Sequence, residues 1–333
     1  MKKLLLTGLL CAMSSMAVAQ SSDRYFGYFF DDANSSFQEN YGHINLYNIG
    51  QMIIGAGDTA DRDLTAEYTL GELAKAKAHG VRAIITASPF VLHWTDSTGK
   101  WSAEPNASAV WSTFVNKLVA AGYIVPGRPD LSTVAAIYVI DEPDHAGFGD
   151  INGSANPTLQ AAVNAIRSNA GTSGIPLASI LTVDFPNDNF ANGMRLFDWV
   201  GFDWYPATSS QWSSKYAQLK SMLSANQRTI IAPKAAVDNP GYSELGGGSY
   251  NDPNFFSSVY NSDPRVVWFA PFVWFTKTEW TGTRDIPALR SIYTQIGSGI
   301  RSTTCSSSAA NQGFCRGSAT KVGTIAAVNL LLQ

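Results

Sequence analysis

The sequence predicts an α/β fold, a (β/α)8 barrel in which eight parallel strands alternate with helices. Three observations support this prediction. Eight apolar runs of β character recur at a fairly even spacing along the chain. Most of them are continuous rather than alternating, which is typical of strands buried on both faces. Helical patterns of apolar residues separate most of the runs, as connections between parallel strands require.

The predicted strands cover most of the chain. They are residues 25–30, 44–48, 81–87, 134–140, 177–183, 199–202, 229–232 and 266–275. Gly80 ends the first long helical pattern, while Pro157 and Pro287 stand at the start of two later ones. A doubly wound open sheet is the alternative fold. Acidic residues from Asp31 onwards follow the first strand, however, in place of the glycine-rich turn of a nucleotide-binding fold.

The composition excludes several classes of protein. With 45% apolar, 12% aromatic and 15% charged residues, the chain is neither disordered nor a coiled coil. The net charge is −3, and the sequence contains no block of basic residues, so we expect no nucleic-acid partner. No apolar run beyond the N-terminus is long enough to cross a bilayer, so we expect no membrane partner.

The N-terminus has the features of a secretory signal peptide. Lys2 and Lys3 precede an apolar stretch that begins at Leu4, and a small-residue cleavage site ends at Ala19. We therefore predict a signal peptide over residues 1–19, a barrel domain over 20–297 and a Ser/Gly-rich tail over 298–333. The mature protein should be secreted or periplasmic, and we expect it to be a monomer.

The mature chain retains two cysteines, Cys305 and Cys315, and both lie in the tail. An even number of cysteines in an exported protein predicts a disulfide bond between them. A metal site is the alternative, but no histidine lies near them, so we predict no metal.

Polar residues follow almost every predicted strand. In a barrel of this kind the C-terminal ends of the strands build the active site. Carboxylates are mixed there with tryptophan and tyrosine. This combination is typical of carbohydrate sites, because aromatic rings stack on sugar rings while carboxyl groups bind hydroxyls and transfer protons. The candidate site residues are Asp32, Asp141, Glu142, Asp203, Trp204, Tyr205, Lys234 and Trp274.

The fourth predicted strand gives the sharpest signal. It runs directly into Asp141 and Glu142, and Pro143 ends the strand ladder. The end of a buried strand is a place where desolvation can keep a carboxylic acid protonated, as a general acid must be. A solvated acidic turn is the alternative interpretation.

These motifs resemble the (β/α)8 glycoside hydrolases of the large clan whose acid/base is a Glu before Pro at the end of the fourth strand. The usual motif is Asn-Glu-Pro, and here it reads Asp141-Glu142-Pro143. The sixth strand runs into Asp203-Trp204-Tyr205-Pro206, which is similar to the D-x-Y-P element of a set of bacterial glycosidase-like barrels. At the end of the eighth strand, the resemblance implies that Trp274 forms the floor of a sugar subsite.

The seventh strand departs from the clan, which places its nucleophilic Glu at the end of that strand. Here the strand runs into Lys234. Three explanations are open. The second carboxylate comes from elsewhere, with Asp203 as first candidate and Asp32 and Glu279 as others; the mechanism is inverting and needs a base instead; or catalysis has been lost. A carboxylate beside Lys234 would be held ionised.

The sequence thus predicts a secreted glycoside hydrolase that cleaves an oligo- or polysaccharide, with Glu142 as proton donor and Asp203 as second carboxylate. This chemistry requires no cofactor. The main alternative is a non-catalytic carbohydrate-binding barrel, which Lys234 favours. An esterase is a weaker alternative, because the sequence has no G-x-S-x-G nucleophile motif.

Overall fold

The computed structural model describes residues 23–30, 42–49, 59–95, 100–187, 189–205 and 207–315. The predicted signal peptide and Asp32 lie outside these ranges. The strands are β1 (Tyr25–Phe26), β2 (Leu46–Asn48), β3 (Arg82–Thr86), β4 (Leu92–Thr95), β5 (Lys100–Ala103), β6 (Val134–Tyr138), β7 (Leu177–Leu181), β8 (Trp199–Asp203), β9 (Arg228–Ala232), β10 (Ala236–Asp238), β11 (Val266–Phe269) and β12 (Trp280–Gly282).

Helices alternate with the strands. They are α1 (Thr59–Ala78), α2 (Ser88–Val91), α3 (Ala107–Ala120), α4 (Pro157–Arg167), α5 (Ala191–Met194), α6 (Ser209–Met222), α7 (Pro253–Ser262), α8 (Pro287–Ser307) and α9 (Ala309–Cys315). Short 3-10 helices cover Pro129–Leu131 and Thr283–Asp285. Pro157 opens α4 as predicted, and the side chain of Asn156 accepts a hydrogen bond from the Thr158 amide there. No helix within the described ranges is long and apolar enough to cross a membrane.

Eight strands form the predicted barrel. They lie side by side in the order β1, β11, β9, β8, β7, β6, β3 and β2, and every neighbouring pair is parallel. Between β1 and β2 the Asn45 amide donates to the Phe26 carbonyl at 3.0 Å, and the Phe26 amide donates to the Asn45 side chain at 2.7 Å. The (β/α)8 prediction is therefore confirmed.

The continuous apolar runs reflect burial on both faces of the strands. Every residue of β3, β6 and β7 is buried. Side chains from all eight barrel strands meet in one interior cluster, which includes Tyr138, Trp199 and Trp268. A second and larger core includes Val200 and Phe202 and lies between the barrel and the surrounding helices. Alternate residues of a strand thus enter two different cores.

Two small antiparallel sheets are additions to the barrel. Strands β4 and β5 form a hairpin in which Trp94 pairs with Trp101, with ring centroids 5.2 Å apart. Strands β10 and β12 pair next to the C-terminal mouth, the end of the barrel at which the strands terminate. The hairpin lies between β3 and β6, whereas β10 follows β9 and β12 follows β11, the last strand of the barrel.

The C-terminal segment is helical where the structure describes it. Helix α8 runs across the predicted domain boundary at residue 298, and α9 follows it directly. The predicted disulfide is present, with 5.7 Å between the Cα atoms of Cys305 and Cys315. It holds α9 against the first strand of the barrel, where the Asn311 amide donates to Asp23 at 2.6 Å.

Removal of the disulfide should destabilise the protein moderately. A Cys305→Ser, Cys315→Ser double variant loses a crosslink that closes a short loop, which is worth about 3 kcal/mol in the chain-entropy treatment. We expect the variant to fold and to unfold at lower denaturant concentration. Equal denaturation midpoints for the variant and the wild type would show that the crosslink contributes nothing.

Candidate active site

Glu142 lies above the end of β7, although the chain reaches it from β6. Its backbone amide donates to the Ile180 carbonyl of β7 at 3.0 Å. Its φ of 42° is left-handed, a conformation that non-glycine residues rarely adopt and that steric repulsion disfavours further before proline. Two amides donate to its carbonyl, those of His145 at 2.9 Å and Ala146 at 2.8 Å. These hydrogen bonds fix the backbone at Glu142.

Asp144 anchors this turn to β7. Its carboxylate is buried and accepts hydrogen bonds from the amide of Thr182 at 3.0 Å and from the hydroxyl of the same residue at 2.7 Å. Because Thr182 directly follows β7, the turn that carries Glu142 is fixed to the neighbouring strand at two points.

Asp203 reaches the same region from β8. It is the last residue of that strand and pairs in register with Ala232 of β9. Strand alternation places Asp203 on the same face as Trp199, which lies in the barrel interior, whereas Phe202 faces the helices. The carboxyl group of Asp203 therefore lies at the top of the barrel interior.

Burial and neighbouring charges raise the pKa of both Glu142 and Asp203. Burial, followed by the charges of Asp141 and Asp144, raises the pKa of Glu142 to about 7, and His145 opposes this shift. Burial, followed by the charges of Glu142 and Asp141, raises the pKa of Asp203 well above its usual range. Neither Lys nor Arg is among the described groups that shift either pKa. The charge of Glu142 therefore favours the protonated form of Asp203.

Two tyrosines line this carboxyl group cluster, which consists of Asp141, Glu142 and Asp203. The Tyr138 hydroxyl donates to Asp141 Oδ1 at 2.6 Å. The Tyr205 hydroxyl is buried and has no hydrogen-bond partner in the described part of the chain, and the Tyr205 ring stacks on Phe272 with centroids 5.4 Å apart. Burial and the three carboxylates raise the pKa of Tyr205 well above its usual range, so the phenol keeps its proton for donation.

The Lys234 side chain makes its contacts within the protein. Its side chain is fully buried, and its ammonium donates to Asp238 Oδ2 at 3.0 Å and to the carbonyls of Leu245 at 3.1 Å and Gly247 at 2.7 Å. The carboxylate beside Lys234 is thus Asp238, four residues further along the chain. The described contacts hold a loop and give no support to the predicted substrate contact of Lys234.

The two predicted tryptophans differ in their surroundings. Trp204 is half-buried and packs on the edge of the main core. Trp274 is only 1% exposed, with its ring 4.8 Å from that of Tyr28. A ring without an exposed face cannot stack on a sugar, so the structure does not support the sugar subsite implied for Trp274. Phe272, two residues earlier, is the half-buried ring that contacts Tyr205 instead.

The structure brings together Asp141, Glu142, Asp203 and Tyr205 of the predicted site. Sequence reasoning missed Tyr138, whose phenol lies within the apolar run that leads to Asp141. The only available signal was a polar group at the end of a buried strand.

In the described ranges no three His, Cys, Asp or Glu side chains are arranged to hold a metal ion. A buried carboxyl group that keeps its proton near neutral pH can act as a general acid.

Comparison with known proteins shows similarity at the level of fold. No family model matches the chain, and no curated protein sequence matches it. A β-galactosidase from Rahnella sp. R3 superimposes with a TM-score of 0.50 at 10% identity, over 86% of this chain and 57% of that one. A fungal β-1,4-galactanase gives 0.46 at 14% identity, over 69% and 78% of the two chains. A mannanase from Bacillus subtilis gives 0.42 at 15% identity, over 75% and 79%.

Glu142 should destabilise the folded protein once it ionises. A pKa raised from 4.5 to about 7 means that the native state binds this proton more tightly than the unfolded chain does. The native state therefore loses stability as the pH rises from 4.5 through 7. We expect Glu142→Gln to melt at a higher temperature than the wild type at pH 8 and at the same temperature at pH 4. Glu67→Gln, an exposed helical position, serves as the control. A difference that does not depend on pH would contradict the shift.

Lys234→Met should be strongly destabilising, because it leaves Asp238 buried without its cation. Breaking a buried ion pair in this way costs about 3–5 kcal/mol. Adding Asp238→Asn should recover part of the loss, since the uncompensated charge is then removed. Urea denaturation measures both effects. An unchanged denaturation midpoint in Lys234→Met would show that the ammonium does not hold the loop.

Proposed function

We propose that this protein is a secreted glycoside hydrolase that cleaves an oligo- or polysaccharide at the C-terminal mouth of the barrel. The observation that carries the proposal is the pair of carboxyl groups that follow β6 and end β8, Glu142 and Asp203: both have a raised pKa, and the charge of Glu142 contributes to the shift of Asp203. Glycoside hydrolysis needs two such groups, one to protonate the departing oxygen and one to act on the sugar from the other side.

The coupled pair is suited to holding one proton. Because ionisation of either carboxyl group makes ionisation of the other harder, the two protons leave in separate steps. Over the pH range between these steps, one group is an acid and the other a carboxylate. Activity should therefore rise and then fall with pH, as it does for enzymes that need one acid and one base.

We assign the donor role to Glu142 and the second role to Asp203. The assignment follows the Asp141-Glu142-Pro143 motif and its resemblance to the acid/base motif of barrel glycosidases. Glu142 protonates the glycosidic oxygen, and Asp203 in its ionised form acts as base on water or as nucleophile on the anomeric carbon. The strongly raised pKa of Asp203 favours the exchanged roles, and the variants described below distinguish the two assignments. We also assign a sugar oxygen beside Asp203 to the Tyr205 hydroxyl, which is buried and has no hydrogen-bond partner among the described residues.

A catalytically inactive sugar-binding barrel is the second candidate. It is favoured by the end of β9, where the chain carries Lys234 and this side chain is buried against Asp238. The two candidates agree on the location of the site. They differ in whether the carboxyl pair transfers a proton.

Glu142→Gln separates the candidates. It keeps the shape of the side chain but removes the transferable proton, so hydrolysis of a natural polysaccharide should fall by about 10²–10⁴-fold while binding persists. Aryl glycosides with good leaving groups need little protonation and should be partly spared. Asp203→Asn should impair both kinds of substrate. Initial rates and binding isotherms on a polysaccharide panel, with Glu67→Gln as control, measure these effects.

The outcomes are distinct. If Asp203→Asn spares activated substrates and Glu142→Gln does not, the two roles are exchanged. If the wild type binds a polysaccharide but hydrolyses none, the sugar-binding barrel is the correct account. If Glu142→Gln retains full activity on unactivated polysaccharide, Glu142 is not the proton donor.

A further inference from the structure

The Tyr138 hydroxyl has a fixed direction. Its oxygen lies 3.3 Å from the backbone amide of Ile180 and 2.6 Å from Asp141 Oδ1. A backbone N–H can only donate, so the Tyr138 oxygen accepts from Ile180. The one proton of the hydroxyl is then directed at Asp141. Tyr138 is 1% exposed, so water does not compete for this bond.

This arrangement favours the ionised form of Asp141. A hydrogen bond donated to a carboxylate stabilises the charged form over the neutral one. Asp141 as a whole is an exposed residue, so its charge is also hydrated. Asp141 therefore differs from Asp203, whose carboxyl group is enclosed at the top of the barrel. Asp141 is therefore the carboxyl group of the cluster whose surroundings favour the charged form.

Several titratable groups face Glu142. Asp141, Asp144 and His145 belong to its own turn, and Asp203 and Tyr205 face it from β8 and the residues that follow. Asp144 is occupied by Thr182, and His145 acts in the opposite direction to the acids. Of the neighbouring charges, Asp141 contributes most to the retention of the Glu142 proton.

We propose that Tyr138 is a positioning residue that fixes Asp141 as a negative charge beside Glu142, and that this charge sets the pH at which Glu142 releases its proton. The inference rests on the proposed function only in giving that proton a catalytic use. Asp141 occupies the position of the Asn in the usual Asn-Glu-Pro motif, so a neutral amide is replaced here by a charge. The expected result is an enzyme that stays active to higher pH.

The test follows the Glu142 carboxyl group directly. The full chain is labelled with [5-¹³C]glutamate, and the carboxyl resonances of its seven glutamates are recorded as a function of pH. The signal that is missing in Glu142→Gln belongs to Glu142. The variants are Asp141→Asn, Tyr138→Phe and the double variant. Tyr216→Phe is the matched control, because it removes a Tyr hydroxyl that donates to another carboxylate, Asp263, at 3.0 Å.

We expect Asp141→Asn to lower the Glu142 titration midpoint by about one pH unit, the lower end of the effect of a close like charge. Tyr138→Phe should shift the midpoint in the same direction by less, because it removes one hydrogen bond that stabilises the Asp141 charge but leaves the carboxylate in place. In the Asp141→Asn background, Tyr138→Phe should have no further effect. Tyr216→Phe should leave the midpoint unchanged, although it lowers stability.

Two results would overturn the inference. One is a Glu142 midpoint that is unchanged in Asp141→Asn. The other is a Tyr138→Phe shift of equal size with and without Asp141, which would mean that Tyr138 acts by another route. The titration requires no turnover, so it stays decisive if the protein hydrolyses no sugar. Where a substrate is found, the alkaline limb of kcat/KM against pH should move by the same amount, about tenfold in rate per unit.

Discussion

The site depends on one electrostatic constraint, which is that carboxyl groups are held together in a place that water solvates poorly. Two other buried acids have close partners. Asp238 has the ammonium of Lys234, and Asp144 accepts hydrogen bonds from the amide and hydroxyl of Thr182. At the top of the barrel, by contrast, no Lys or Arg among the described residues shifts the pKa of Glu142 or Asp203. The consequence is a carboxyl group with a pKa of about 7, that of Glu142.

The barrel makes this convergence possible. Strands β6 and β8 are the two neighbours of β7, and alternate strands of a barrel contribute side chains to the same interior layer. The turn after β6 is bonded to β7, because the Glu142 amide donates to the Ile180 carbonyl and the Asp144 carboxylate accepts from Thr182. The left-handed backbone at Glu142 is stabilised by these bonds and by the amides that its own carbonyl accepts. Local strain at this residue thus accompanies its chemical role.

The sequence was sufficient to predict the eight strands, because burial on both faces leaves a continuous apolar run that is visible without the structure. The contact between β1 and β2 was not predictable in this way. It uses the side chain of Asn45, and a contact of this kind is not visible in the pattern of apolar residues. The hairpin of β4 and β5 was missed because it is short and half-exposed, and the helical tail was missed because its composition is typical of a loop.

Within the site, strand ends could be located but side-chain directions could not. Glu142 and Asp203 come directly after buried runs, so their meeting follows from the fold. Lys234 also follows such a run, yet it turns into the loop that Asp238 organises. Trp274 lies beyond the end of β11, where the chain no longer keeps strand alternation, and its ring enters the outer core. Direction is set by contacts between distant segments, which a single sequence does not display.

The most direct measurement for the account as a whole is a crystal structure of the Glu142→Gln protein with a bound oligosaccharide. The account predicts a glycosidic oxygen within hydrogen-bond distance of the substituted side chain at position 142. It also predicts the adjoining anomeric carbon next to Asp203 and a sugar hydroxyl bound to Tyr205. An oligosaccharide bound away from these three positions would contradict the account.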